Sequence, residues 1–523
     1  MVPEPAEDSA SLKAGLTTVT AGTLLLLVST LLLVGLNFLA RVLVVRSVSK
    51  PDFDAFSWDF TLMQVLISVG SFGIPVATAR SLPYAANEAE RRTVVRAALG
   101  FGSLAGAASG IALFVAAQPI GRALGSAELG FGLQFFALAL GSVIVGSTLA
   151  SIFQGFANVT PAALFQQVLT PAAYLGFLAV ALTVPPGHVT YAWALVAFAA
   201  SSVVALAALV AYTARRLPRP LARRGPTDPA TRTRFLRLAL PLCVFGTMVG
   251  FAGSGDTLVL GVIRYAEVGT YTASLTLARL VQVGISAASY NFLPVASGFL
   301  ARGNRRAVGL TYVTVTKWLT VVSLPLFVVF VFLPSSSLDF VYGRAYSGTT
   351  LPLQVVVAGA FVGTLLGPGA MAQVATGQSR LLAVNASVAA AVDLGLAFGL
   401  VPRFGEVGAA AAWSIANVLY ATLCLAELAA AERYHPFQRE LLLPLAVIVA
   451  PASVALLVLR PTPPLLALPA LAVGLAVAFA LAVPLTGSVT EGDRLLLGAI
   501  ERLLGRPVPL VRRLAGVLQR SPR

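Results

Sequence analysis

From residue 129 to residue 214 the chain carries no Asp, Glu, Lys or Arg. A soluble fold cannot hide a stretch of this length, because a soluble domain carries charge on about a quarter of its residues. Here charged types make up 11% of 523 residues and hydrophobic types 57%. The chain must therefore meet lipid over most of its surface, and its mean hydropathy of +0.86 agrees. Further uncharged stretches cover 14–40, 60–79, 238–255, 318–338, 345–379, 407–426 and 441–459.

A spanning helix needs about 20 apolar residues. Turn signals such as Asn158-Val159-Thr160-Pro161 and Pro185-Pro186-Gly187 cut the longest stretch. The pattern predicts an all-α integral membrane protein of about fourteen helices. The expected spans are 18–45, 57–79, 97–117, 130–156, 160–183, 189–213, 238–262, 268–300, 309–333, 349–375, 381–402, 407–430, 441–459 and 464–486. With both termini cytoplasmic, the inner segments hold 27 of the Lys and Arg residues and the outer loops hold 7. That split follows the retention of basic loops on the cytoplasmic side. Arginine far outnumbers lysine, which points to a GC-rich prokaryotic genome and so to a plasma membrane location. The apolar run after Lys13 is too long for a cleavable signal peptide.

The formal net charge is +15. It does not indicate a nucleic-acid partner, because the basic residues lie between spans. Cys243, Cys424 and two histidines cannot build a disulfide framework or a zinc site. Neither a metal nor another cofactor is expected.

An internal repeat is visible at an offset of about 215 positions. Val42-Leu43-Val44-Val45 and Phe56-Ser57-Trp58-Asp59-Phe60-Thr61-Leu62 are echoed by Thr257-Leu258-Val259-Leu260 and Tyr271-Thr272-Ala273-Ser274-Leu275-Thr276-Leu277. Pro75-Val76-Ala77 and Arg91-Arg92 are echoed by Pro294-Val295-Ala296 and Arg305-Arg306. The expected organisation is a tail (1–17), an N-lobe of helices 1–6 (18–213), a basic cytoplasmic linker (214–236) and a C-lobe of helices 7–12 (237–432). Helices 13–14 (433–486) and an amphipathic basic tail (487–523) follow. Six spans per lobe make the two lobes parallel repeats. The tail alternates leucine clusters with arginines, which suits an anionic membrane surface.

Several segments resemble one family. Asp256-Thr-Leu-Val-Leu-Gly-Val-Ile-Arg-Tyr-Ala-Glu-Val-Gly-Thr-Tyr-Thr-Ala-Ser-Leu-Thr-Leu-Ala-Arg279 looks like the start of the second lobe in polysaccharide flippases of the multidrug/oligosaccharidyl-lipid/polysaccharide exporter superfamily. Arg41-Val-Leu-Val-Val-Arg-Ser-Val-Ser-Lys-Pro-Asp-Phe-Asp54 is similar to that family's first helix and loop. Phe340–Tyr346, Gly377–Arg380 and Leu400–Ala412 resemble later turns, although Asp54 and Ala55 stand where the family often has Gly. The resemblance implies two lobes around a cavity and alternating access without an ATPase domain. The implied cargo is a sugar chain on a polyprenyl- or dolichyl-phosphate-type lipid, moved from the cytoplasmic to the outer leaflet.

Such a cargo carries an anionic phosphate, and arginine is the side chain best shaped to receive one. Arg41 and Arg279 lie inside spans, and Lys317 lies at a cytoplasmic end. Gln64, Gln282 and Asn291 could line a sugar cavity or simply bond between helices. Arg41 and Asp256 are repeat equivalents, so they could gate the lobes as an ion pair; local pairing or snorkelling is the plainer reading. Asp393 and Glu427 could bind a coupling Na⁺ or H⁺, or be paired structurally. Gly246, Gly250, Gly253, Gly255, Gly363, Gly367 and Gly369 mark close packing or bends.

Three other readings compete. A multidrug or cation antiporter of the same superfamily would place an acid in the first helix, and residues 14–40 have none. A membrane glycosyltransferase could use Asp52 and Asp54, but its outer loops would need to be larger. A structural scaffold would have no water-accessible Arg279.

Overall fold

The computed structural model describes residues 28–123, 127–156, 158–183, 191–218, 228–285, 303–439 and 467–486, with short pieces at 221, 292, 296, 299–300, 441–443, 445–447 and 488. Asn291, the N-terminal tail, most of the expected thirteenth span and the basic tail after 488 lie outside the described residues. The chain divides into two compact units, Met1–Gly269 and Thr270–Arg523.

The first unit begins with α1 (Val28–Ser47). The helices α2 (Lys50–Gly70) and α3 (Ile74–Ser81) follow. Between them Phe72 and Gly73 take positive φ of 49° and 66°. The two helices bend by 45° and together are long and apolar enough to cross a membrane. Then come α4 (Glu88–Ala123), α5 (Ala127–Gly155), α6 (Ala162–Ala181, opening on a π-helical turn) and α7 (Tyr191–Arg216). Next are α8 (Pro229–Ala252) and the short α9 (Gly255–Ile263).

In this unit α5 is the central helix, packed by α2, α3, α4 and α7. Its core is a chain of rings. Phe136 of α5 meets Phe56 of α2 at 6.2 Å and Phe198 of α7 at 5.5 Å, and Phe198 meets Tyr174 of α6 at 5.4 Å. Edge-to-face contacts of this kind add about 1 kcal/mol each beyond burial. Gly102, Gly106 and Gly110 of α4 form a four-residue stripe against Thr148, Val145 and the Ala137 carbonyl of α5. With no side chains in the way, the two backbones approach closely, as small-residue stripes allow in lipid.

The second unit holds most of α10 (Val268–Val281), then α11 (Arg305–Phe332) and α12 (Pro334–Tyr342). The helices α13 (Leu351–Leu365), α14 (Gly369–Ala375), α15 (Ser379–Glu432) and α16 (Ala467–Leu485) complete it. α15 is two helices folded at Gly405, where φ is 55° and ψ is −132°. A Cβ at Gly408 would strike the Leu400 carbonyl, so the hairpin closes only with glycine there. Pro368 and Gly367 (φ 80°) separate α13 from α14, and the Tyr312 hydroxyl donates to the Leu366 carbonyl at this break.

Nine helices among the described residues are long and apolar enough to cross a membrane, or ten with the bent α2–α3 pair. Besides α12, which forms in an expected loop, and the bend at Phe72-Gly73, three differences from the expected spans stand out. The loop expected over 46–56 is helical from Lys50, because Ser49 caps it and Pro51 fits its first turn. The linker expected over 214–236 is helical from Pro229, capped by Asp228, which accepts the backbone N–H groups of Ala230 and Thr231. The seventh expected span is broken at Gly253-Ser254. The glycines play both of their expected parts: Gly250 admits Ser68 and Gly369 admits Cys424, while Gly253 and Gly367 sit at breaks.

Candidate functional site

The early start of α2 arranges a charged face. Lys50, Asp54 and Trp58 recur every four residues, so they stand one above another. Lys50 Nζ lies 3.4 Å from the Asp54 carboxylate and donates to the Ala266 carbonyl at 2.8 Å. Asp54 Oδ1 accepts the Gly269 backbone N–H at 2.6 Å. One turn on, the Trp58 indole covers Gly261, where even a Cβ would overlap the ring. These bonds tie the start of α2 to the turn between α9 and α10.

Arg41 of α1 completes the layer. Its guanidinium lies 3.4 Å from Ser57 Oγ and 5.6 Å from the centre of the Phe53 ring. Asp59 and Asp256 in the same unit are fully buried. Carboxylates removed from solvent persist only with cations or donors nearby. The first unit therefore concentrates Arg41, Lys50, Asp54, Asp59 and Asp256 in otherwise apolar helices.

The second unit holds the remaining sequence candidates. Arg279 is exposed on α10, whose Tyr271, Ala273, Leu277 and Ala278 are buried. Lys317 is buried and donates to the Ser488 carbonyl at 2.9 Å, just past the end of α16. Gln282 donates to Asn417 Oδ1 at 3.4 Å, and Asn417 donates to the Gly359 carbonyl at 3.1 Å. Asp393 is fully buried in α15. Glu427 accepts amide N–H groups from Gln373 at 2.6 Å and Asn385 at 2.7 Å. Gln64, on α2 in the first unit, is exposed.

Arg41 and Asp256 thus share a unit, while Lys317 joins two helices. Asp59 is absent from the candidates the sequence offers, and Asp54 enters there only in the glycosyltransferase reading. A signal was present: Asp59 is a lone acid among aromatics just inside an expected span. Glu406, which accepts from Thr270 Oγ1 at 2.5 Å, had no such signal, because it lies in an expected loop. Among the described residues no group of three or more His, Cys, Asp or Glu could hold a metal ion.

Breaks within spans and charges buried among apolar helices define the class: a multi-span helical transporter fold. Solved structures of that class are similar over most of the chain. A lipid II flippase, MurJ, in an inward closed conformation aligns with TM-score 0.67 at 13% identity, over 87% of this chain and 97% of that one. An inward-facing multidrug resistance MATE family transporter of the MOP superfamily aligns at 0.63 and 13%, over 76% and 94%. A MOP superfamily transporter from Pyrococcus furiosus aligns at 0.56 and 14%, over 79% and 95%. At this identity the likeness concerns the fold. No curated protein matches the sequence. The model of one protein family, described as polysaccharide biosynthesis protein, matches residues 19–302, and the chain belongs to that family.

Proposed function

We propose that the protein is a flippase, not an enzyme, that turns a lipid-linked oligosaccharide or polysaccharide precursor from the cytoplasmic to the outer leaflet of a prokaryotic plasma membrane. Both termini are cytoplasmic in this reading, which rests on the distribution of basic residues. The cargo is a sugar chain on a polyprenyl- or dolichyl-phosphate carrier, and Na⁺ or H⁺ supplies the coupling. The lobes are the six-helix repeats 18–213 and 237–432, moving by alternating access.

The observation that carries the reading is the charge of α1. Its described residues contain two arginines, Arg41 and Arg46, and no acid. Charge inside a span is costly and is retained for function. A cationic first helix suits an anionic diphosphate linkage and opposes cationic drugs, which disfavours the antiporter alternative. Family membership supports the same choice. Arg279 and Arg41 serve as phosphate contacts, each in its own unit. Gln64 and Gln282 line the sugar path, while Asp256 and Asp393 hold the conformational states.

The test is reconstitution. Proteoliposomes should expose a fluorescent lipid-linked oligosaccharide to an outer-leaflet probe, and Arg279→Ala should slow this by about tenfold or more, the loss of one charged hydrogen bond. Export of cationic dyes with no effect on the lipid-linked sugar would overturn the reading in favour of the antiporter.

A further inference from the structure

The bend between α2 and α3 leaves a cavity of about 370 Å³ in the first unit. Its walls are apolar and include Phe72, Phe101, Leu104, Leu236 and Leu240, and Cys243 is the lining residue farthest along α8. The lining of α8 lies on one face, at 236, 239, 240 and 243. Arg232 is four residues before Leu236, so it stands on that face one turn nearer the helix start. Its guanidinium lies 5.2 Å from the centre of the Phe101 ring, which is itself a wall of the cavity. Arg234 and Arg237 are exposed in the same two turns. The result is a greasy slot with an exposed guanidinium stacked beside one of its walls.

We infer that this slot binds one acyl chain of an anionic glycerophospholipid, whose phosphate rests on Arg232. Charge complementarity selects an anionic headgroup, since juxtamembrane arginines attract anionic lipid at about 1 kcal/mol each. Depth selects the chain. Arg232 to Cys243 is eleven residues of helix, about 16 Å. One leaflet of hydrocarbon is about 15 Å deep. An acyl chain that starts from a headgroup at the arginine level would therefore end near Cys243. A polyprenyl carrier tail is longer than this and would overrun the slot. The bound lipid would wedge against the positive-φ turn at Phe72-Gly73 and brace the bend between α2 and α3. This site is separate from the charged layer around Arg41, and the inference does not depend on the identity of the cargo.

Native mass spectrometry of the purified protein with phosphatidylglycerol, phosphatidylcholine or polyprenyl phosphate tests it. Wild type should retain phosphatidylglycerol in preference to phosphatidylcholine. Arg232→Ala should weaken retention by about fivefold. Ala108→Phe, which places a ring in the slot from an exposed position on α4, should abolish it. Arg91→Ala, at an exposed arginine away from the slot, should leave retention unchanged. Equal retention by wild type and both slot variants would overturn the inference. So would displacement of phosphatidylglycerol from wild type by polyprenyl phosphate at equal concentration, which would make the slot a carrier-lipid site. Should Ala108→Phe fail to fold, Arg232→Ala against Arg91→Ala decides the outcome.

Discussion

Asp54 Oδ1 accepts the backbone N–H of Gly269 at 2.6 Å, and the two residues stand 215 positions apart, the spacing of the internal repeat. The start of α2 is thus bonded to the start of α10. Under the alternating access proposed above, opening on this side would break the bond. Asp54→Cys with Gly269→Cys should form a disulfide on mild oxidation. Oxidised protein should lose lipid-linked sugar scrambling and regain it with reductant. Unchanged scrambling by the fully cross-linked protein would show that this contact does not open.

Gly261 lies under the Trp58 indole, so Gly261→Ala forces the ring or α9 to move. Overpacking of this kind costs about 2 kcal/mol. A thermal melt in detergent should show the loss, and Trp58→Ala in the same background should recover part of it. Additive losses in the double variant would contradict the contact.

Gly106 sits where a Cβ would lie 3.0 Å from the Gly141 carbonyl. Gly106→Ile should separate α4 from α5 and cost about 3 kcal/mol. Gly100→Ala on the same helix, where nothing lies within 4 Å, should be neutral or mildly stabilising in the same melt.

Lys317 ties α11 to the end of α16 through the Ser488 carbonyl. Lys317→Met keeps the bulk and removes the donor. Hydrogen exchange should rise at 482–488 and stay unchanged in α13. If scrambling falls while exchange at 482–488 is unaltered, Lys317 acts on cargo instead.

Asp228 caps α8 from outside the membrane, and bonds from Thr231 and from backbone N–H groups hold its carboxyl below the usual range. A depressed carboxyl stabilises the fold above its unfolded pKa and loses that contribution as pH falls through the folded value. Acidification below the ordinary carboxylate range should therefore fray the first turn of α8. Asp228→Ala should do the same at neutral pH. Amide exchange at 230–232 reads both effects.

The membrane class of this protein was written in local composition. Residues 129–214 have no charge to offer water, so the segments between their turn signals are expected as helices in lipid whatever they pack against. The turn at Gly405 and the break at Gly367 likewise follow from residues that sit next to one another, whereas the cap at Ser49 and the break at Gly253, though equally local, are not among the expected span boundaries. The partners of the charged groups do not. Lys317 reads as a cavity cation, and its bond to the Ser488 carbonyl is visible only in the fold; Glu427 reads as an ion ligand or a paired acid, and only the fold brings Gln373 and Asn385 to it. Asp54 gained its role only when a main-chain N–H 215 residues away came within reach. Hydrophobic transfer is a property of each segment and can be summed along the chain. A hydrogen bond requires two groups at a set distance, and only tertiary packing fixes that distance.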